Sequence, residues 1–121
     1  MMAACCRAFA GVPESVSAAR AWVAGFVPTT TADDVALMTS ELVTNAILHS
    51  ASRLPGGQVT VSVRAMDDMV RVDVVDQGAV PPDLTAPRGL GIGLPIVAAL
   101  ADVFGADGPD RWFALRAGGT A

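Results

Sequence analysis

The sequence has no lysine, one histidine (His49), one asparagine (Asn45) and two glutamates (Glu14 and Glu41). A Walker A phosphate-binding loop needs a lysine, and so does the third strand of a protein kinase, so both are excluded. A Ser-His-Asp triad would have to use His49, and no G-x-S-x-G turn is present to support it. Polar chemistry must therefore come from a small set of other side chains.

The sequence also lacks a disulfide framework, a net positive charge and long apolar runs. The only cysteines, Cys5 and Cys6, are adjacent, which argues against a disulfide framework and favours small residues in a first strand over zinc ligands, for which no supporting cluster exists. A net charge of −4 argues against nucleic-acid binding. No apolar run approaches the roughly 20 residues of a membrane helix, and the start "MMAACCRAFAG" does not resemble a signal peptide. We expect a cytoplasmic protein that binds neither nucleic acid nor membrane.

The 121 residues are expected to form one domain, 1–121. A short strand is predicted over Cys5–Phe9, and a helix begins near Pro13. A Thr31/Asp34 capping box predicts the start of a second helix that runs to about Ser50. The segments "QVTVSVRA" and "MVRVDVVD" alternate apolar and polar residues, which predicts a β-hairpin.

Towards the C-terminus, a third helix is predicted from Pro95 to Gly105 with Val97, Leu100 and Phe104 inward, followed by a strand at "RWFALR". The order β-α-α-β-β-α-β predicts a two-layer α/β sandwich with a mixed, mostly antiparallel sheet and all helices on one face.

Polar residues recur along the second helix at a spacing of four, at Glu41, Asn45 and His49. Residues four apart lie on one side of a helix, here beside the apolar stripe that must pack on the sheet. An uncompensated polar group at that position would cost about 2–7 kcal/mol. Either both Glu41 and Asn45 reach solvent, or a ligand compensates them.

Asp76 continues the inward-facing series Val70, Val72 and Val74, so its carboxylate is predicted to point to the core face at the end of a strand. Gly78 follows, and glycine allows another molecule to approach the backbone. The alternative is an Asx-type turn, in which Asp76 bonds its own backbone before Gly78.

Glycines alternate in "RGLGIGLP", at Gly89, Gly91 and Gly93, just before the third helix. Exposed backbone N–H groups and the partial positive charge of a helix N-terminus favour anions such as phosphates. The spacing is not the Rossmann fingerprint, because Leu94 stands in place of the last glycine.

Together these motifs make the chain resemble the GHKL ATP-binding family over nearly its whole length. "ELVTNAILH" resembles the N box of that family, "DQG" its first glycine box and "GLGIGLPIV" its second. "SELVTNA" and the start "FAGVPESVSAARAWV" are most similar to the anti-sigma-factor serine kinases. The resemblance implies the Bergerat α/β sandwich fold.

The resemblance also implies cofactors and roles. ATP and Mg²⁺ would be the cofactors, with Asn45 binding the metal ion and Glu41 acting as general base on an incoming hydroxyl. Asp76 would accept a hydrogen bond from the adenine amino group, and Arg88 would clamp the terminal phosphate. The remaining nucleotide contacts would come from the glycine boxes, at Gly78, Gly89, Gly91, Gly93 and Leu94.

The family comparison implies a serine/threonine kinase that phosphorylates an anti-sigma-factor antagonist and holds a sigma factor, with a possible homodimer through the first helix. Two departures favour an alternative, a non-catalytic binding module that acts by protein contact. Val80 replaces the last glycine of the first glycine box, which restricts approach to the backbone. The lid "AVPPDLTAP" is short and rich in proline, which would leave the phosphates wet.

Overall fold

A computed structural model of the chain describes residues 2–50, 52, 54–66, 68–78 and 94–116. The elements in chain order are β1 (Met2–Ala10), α1 (Glu14–Ala24), α2 (Thr29–His49), β2 (Gln58–Met66), β3 (Met69–Val75), α3 (Leu94–Leu100), β4 (Val103–Asp107) and β5 (Asp110–Arg116).

The strands form one five-stranded sheet in the order β1-β2-β3-β5-β4. The sheet predicted as mixed and mostly antiparallel is antiparallel at each of these pairings. The register sets Val61 opposite Val74 and Val63 opposite Val72, so the alternation of the hairpin puts all the buried valines on one face.

The helices cover that valine face. In α2, the apolar stripe that was predicted to pack on the sheet is buried, at Val35, Met38, Leu42 and Ala46. In α1, Ala19 and Val23 are fully buried, whereas Phe26, two residues beyond the helix, is 43% exposed. The predicted two-layer α/β sandwich is confirmed, with one hydrophobic core between the layers.

The C-terminal part of the prediction is wrong in one respect. The third helix ends at Leu100, and β4 follows it as an additional edge strand, so the order is β-α-α-β-β-α-β-β. Phe104, predicted to face inward from a helix, is 45% exposed on this strand. Gly105 does not end a helix: it lies against the Trp112 indole on β5, where a Cβ atom would come within 2.8 Å of the ring.

The predicted capping box is also wrong. The second helix begins at Thr29, two residues before Thr31. Its N-cap residue is Pro28, which has ψ 147° and makes no side-chain capping hydrogen bond. The Thr31 hydroxyl donates back to the Pro28 carbonyl at 3.2 Å. Proline has already set the backbone at the entry, so the helix starts before the Thr31/Asp34 pair can cap it.

Candidate functional site

A cavity of about 500 Å³ opens where α2 and β3 end and where the hairpin joining β4 to β5 turns. It is lined by His49, Ser50, Asp76, Gly78, Gly108, Pro109 and Arg111. Its volume lies within the range of small-molecule sites, about 300–1,000 Å³. The structure thus brings the predicted residues Asp76 and Gly78 together with His49 in one cavity.

Asp76 directly follows β3 and is half-buried at the cavity wall. Its N–H donates to the Pro109 carbonyl at 3.0 Å, which joins the end of β3 to the neighbouring hairpin. One carboxylate oxygen, Oδ1, accepts from the Gly78 N–H at 2.7 Å, and Gly78 has φ +86°. The Asx-type turn considered as an alternative is therefore formed. A carboxylate has two oxygens, so Asp76 retains acceptor capacity for a ligand.

Two buried serines connect the end of α2 to the Asp76 segment. The Ser50 hydroxyl donates to the Ala46 carbonyl in the last turn of α2, and the Ser52 N–H donates to Ser50 Oγ at 3.0 Å. The Gln77 N–H in turn donates to Ser52 Oγ at 3.0 Å. This chain of hydrogen bonds fixes the residue beside Asp76 relative to α2.

Two glycines make room for Ser52. A Cβ atom on Gly11 would lie 1.8 Å from the Ser52 carbonyl oxygen, and one on Gly57 would lie 2.0 Å from it. Both distances are shorter than any van der Waals contact, so only glycine fits against this carbonyl. The Gly11 N–H also donates to the Gly57 carbonyl at 2.9 Å, which holds the two glycines together.

Glu41 and Asn45 lie on α2 and are half-buried, as predicted for residues beside the apolar stripe. Neither is among the described residues that line the cavity. With a rise of about 1.5 Å per residue, Asn45 is about 6 Å and Glu41 about 12 Å along the helix axis from His49. The polar column therefore extends away from the cavity along α2.

Several predicted contacts lie outside the described residues: Arg88, Gly89, Gly91 and Gly93, together with Val80 and the predicted lid. Leu94 is the first residue of α3, and its backbone is described. The described residues contain no cluster of three or more His, Cys, Asp or Glu side chains that could hold a metal ion. A single amide oxygen from Asn45 fits Mg²⁺, which usually takes its other ligands from water and phosphates.

Three residues at the site are not predicted from the sequence: Ser52, Pro109 and Arg111. Serine and proline in loops carry no signal of their own, and Arg111 belongs to a strand that was read only for its fold. The one available signal was the Asp107-Gly108 pair, which is typical of a hairpin turn; Gly108 has φ +57°.

A second group of charged residues lies on the opposite face of the sheet. Asp73, 5% exposed, is paired with Arg71 Nε at 2.8 Å and with Arg64 Nη2 at 3.3 Å. Burial would raise the pKa of Asp73, but the hydrogen bonds from Arg71 and Asp110 and the positive charge of Arg71 lower it overall. This cluster is separated from the cavity by the sheet and does not contribute side chains to its lining.

Within the described residues, no helix has both the length and the apolar character that crossing a bilayer requires.

Comparison with known proteins matches residues 9–111 to the histidine kinase-like ATPase domain. Over 85 residues the chain is 39% identical to the anti-sigma F factor of Geobacillus stearothermophilus and 38% identical to that of Geobacillus kaustophilus strain HTA426. Each alignment covers 66% of this chain and 58% of the relative, so the match spans less than two thirds of either relative.

These matches confirm the resemblance to the GHKL family that the motifs indicated. An ATPase domain implies ATP as the ligand of this family. The matched segment contains both the polar column of α2 and all the described residues that line the cavity. The chain belongs to the histidine kinase-like ATPase domain family.

Proposed function

We propose that this protein is a regulatory kinase of the anti-sigma type that binds Mg·ATP and phosphorylates a serine of an antagonist protein. The adenine base would occupy the cavity at Asp76, and the phosphates would extend along α2 past Asn45 towards Glu41. The names of the two relatives support an anti-sigma role.

The single observation that carries the proposal is the placement of Asp76. Its carboxylate lines a cavity of about 500 Å³ at the end of the helix that carries Glu41 and Asn45. An acceptor on the wall of such a cavity suits the amino group of adenine. Along α2, Asn45 lies nearer to this cavity than Glu41 does, which supports a phosphate chain that passes Asn45 towards an attacking hydroxyl at Glu41.

In the proposed transfer, the serine hydroxyl of the antagonist attacks the γ-phosphorus, and the bond to the β–γ bridging oxygen breaks to release ADP. The Glu41 carboxylate accepts the hydroxyl proton. Asn45 would hold Mg²⁺, the glycine-rich segment before α3 would hold the phosphates, and Arg88 would stabilise charge on the transferred group. Mg²⁺, when bound, would neutralise phosphate charge.

The partners in this proposal are the antagonist protein and a sigma factor, and the location is the cytoplasm, where both would be found with ATP. A homodimer or partner contact through the first helix is supported by Phe26, which is 43% exposed just beyond α1. Phe26 packs against Trp22 at 5.0 Å between ring centroids, and Trp22 packs against Phe9, so the exposed ring is held by the fold.

Nucleotide binding is tested by isothermal titration with Mg·ATP. We expect saturable binding by the native protein and a loss of at least tenfold in Asp76→Asn, because an amide can present an N–H to the adenine amino group. Asp34→Asn is the matched control, because it removes the same charge from an exposed position on α2. It should bind Mg·ATP with native affinity. No binding by the native protein would refute the ATP proposal.

Phosphotransfer is tested with labelled ATP and candidate antagonist proteins. Glu41→Gln should keep its affinity for Mg·ATP and lose transfer by about 10²-fold or more, since the side chain can no longer accept the proton. Glu14→Gln on α1 is the control and should transfer normally. If Glu41→Gln transfers at the native rate, Glu41 is not the base. Nucleotide binding without transfer to any antagonist would instead support the non-catalytic module.

A further inference from the structure

Arg111 occupies a position in the candidate site that its neighbours on β5 define. It pairs with Val74 on β3, and it shares a face of β5 with Phe113 and Leu115, which are buried in the core. Strand alternation therefore directs Arg111 to the helix side of the sheet, two residues beyond the core. At this end of the sheet the core gives way to the cavity, and Arg111 lines it together with Asp76.

The guanidinium is held in place by the hairpin. Its Nη1 donates to the Gly108 carbonyl at 2.8 Å, and Gly108 also lines the cavity. Among the described residues, the ion pairs within 4.0 Å involve Arg64 and Arg71 but not Arg111. Arginine carries five N–H donors, so most of those on Arg111 remain for a ligand.

The lining of the cavity therefore contains both an acceptor and a set of donors. Asp76 keeps acceptor capacity beyond its bond from Gly78, and Arg111 provides charged donors. Adenine has the complementary edge, because its amino group is a donor and the adjacent ring nitrogens are acceptors. Guanine has an acceptor, O6, where adenine has the amino group, so its carbonyl would face the Asp76 carboxylate.

The position of Arg111 in the cavity indicates which part of the nucleotide it would contact, the base or the phosphates. Arg111 lines the cavity with His49 and Ser50, at the C-terminal end of α2. In the proposed function the phosphates lie towards Asn45 and Glu41, one and two turns back along the helix. The guanidinium is thus at the base end of the nucleotide.

We propose that Arg111 is a specificity-determining residue that donates to a ring nitrogen of the purine beside its amino group, and that with Asp76 it selects adenine over guanine. This inference rests on the proposed function, since it assigns a further contact to the same nucleotide.

The test compares ATP, ADP and GTP binding by the native protein, Arg111→Ala and Arg111→Gln. Arg111→Ala should lower the affinity for ATP and for ADP by the same factor, about tenfold or more for a charge-assisted hydrogen bond, and should reduce the preference for ATP over GTP. Arg116→Ala is the matched control, because Arg116 lies on the same strand, is exposed and is not part of the lining. It should leave all affinities unchanged.

Nucleotide analogues identify the atom. In the native protein, either 1-deaza-ATP or 7-deaza-ATP, each of which lacks one acceptor beside the amino group, should bind about tenfold more weakly than ATP. Arg111→Ala should bind that analogue and ATP equally. Arg111→Gln keeps a long side chain with an amide donor, so it provides a second variant if Arg111→Ala does not fold.

The inference is overturned if the native protein binds ATP in an Asp76-dependent manner while both Arg111 variants retain native affinity and base preference. In that case the proposed function survives. The inference is also overturned if the loss in Arg111→Ala is much larger for ATP than for ADP, which would indicate a phosphate contact, or if both analogues bind as ATP does. If neither the native protein nor Arg111→Ala binds any nucleotide, the proposed function itself fails.

Discussion

Asp110 and Asp73 form a pair of carboxyl groups on the face of the sheet away from the helices. Asp110 Oδ1 is buried and has no hydrogen-bond donor among the N–H groups of the described residues. Burial, the hydrogen bond with Asp73 and the charge of Asp73 raise the pKa of Asp110 to about 6 from the ordinary 3.8, against the opposing charge of Arg71. A proton on Asp110 would supply the missing hydrogen bond, shared with Asp73.

This pair should make stability depend on pH. The folded protein keeps the proton on Asp110 up to about pH 6, whereas the unfolded chain releases it near the ordinary value of 3.8. As the pH rises from 3.8 to about 6, the free energy of unfolding should therefore fall, and above about pH 6 it should stay at the lower value. Asp110→Asn keeps a donor for Asp73 without the charge, and we expect it to be about 1 kcal/mol more stable than the native protein at pH 8, after allowance for solvent screening.

Urea denaturation at several pH values measures this difference. The advantage of Asp110→Asn should shrink towards pH 4.5, where the native carboxyl is protonated. Asp34→Asn on α2 changes the net charge equally and should show no such dependence. A constant difference between Asp110→Asn and the native protein across this range would contradict the prediction.

Individual site residues could be predicted from the sequence when they interrupted a periodic pattern. Asp76 was found because it continues an inward-facing series of valines with a carboxylate, and the structure places it at the cavity. Ser52 could not be found this way, because its role comes from a hydrogen bond to Gln77, twenty-five residues away. Arg111 fits a strand pattern as a solvent-facing end residue, and only the register with β3 shows that it reaches the cavity.

The segment joining α2 to β2 positions the site through two adjacent glycines with different constraints. Gly57 packs against the Ser52 carbonyl, whereas Gly56 has φ +78° and no atom within 4 Å of an added Cβ. We expect Gly57→Ala to lower the free energy of unfolding by about 2 kcal/mol or more and to displace Ser52, because the added Cβ atom would clash with the backbone of Ser52. Gly56→Ala should lower the free energy of unfolding by only about 1 kcal/mol, because its one cost is an alanine in a left-handed backbone conformation.

Urea denaturation and ATP titration of the two variants distinguish these effects. Gly57→Ala should also weaken ATP binding, since Ser52 fixes Gln77 next to Asp76. Gly56→Ala is the matched control and should bind ATP with native affinity. Equal stability losses and unchanged ATP binding in both variants would show that Ser52 does not position the site.

Helices and strands whose apolar residues repeat with a regular spacing could be predicted from the sequence, and the other elements could not. The valines of β2 and β3 and the apolar stripe of α2 gave the hairpin and the long helix, because each buries one face on the core. The predicted third helix includes residues 103–105, the first three of β4. Four of the five residues of β4 are exposed, so the strand has no apolar alternation that would mark it in the sequence. Its existence depends on pairing with β5 across the hairpin turn, where Phe104 lies opposite Phe113.

For the whole molecule, one core between a sheet and its helices was predictable from composition and order, because this length supports one such core. Of the site residues predicted from the sequence, Asp76 and Gly78 are among the described residues that line the cavity. Its walls come from the ends of α2 and β3 and from the β4–β5 hairpin, which meet only once the sheet order β1-β2-β3-β5-β4 is set.

The pairing of β1 with β2 has a practical consequence for following this protein in solution. Cys5 lies opposite Val63 and Cys6 opposite Ser62, so the two adjacent thiols project from opposite sides of the sheet, and both are exposed. A fluorophore attached to Cys6 in a Cys5→Ser background would sense molecules that approach the face of the sheet opposite the helices. The reciprocal label on Cys5 would sense changes in the helical layer, so a pair of single-thiol variants could tell on which side a partner protein docks.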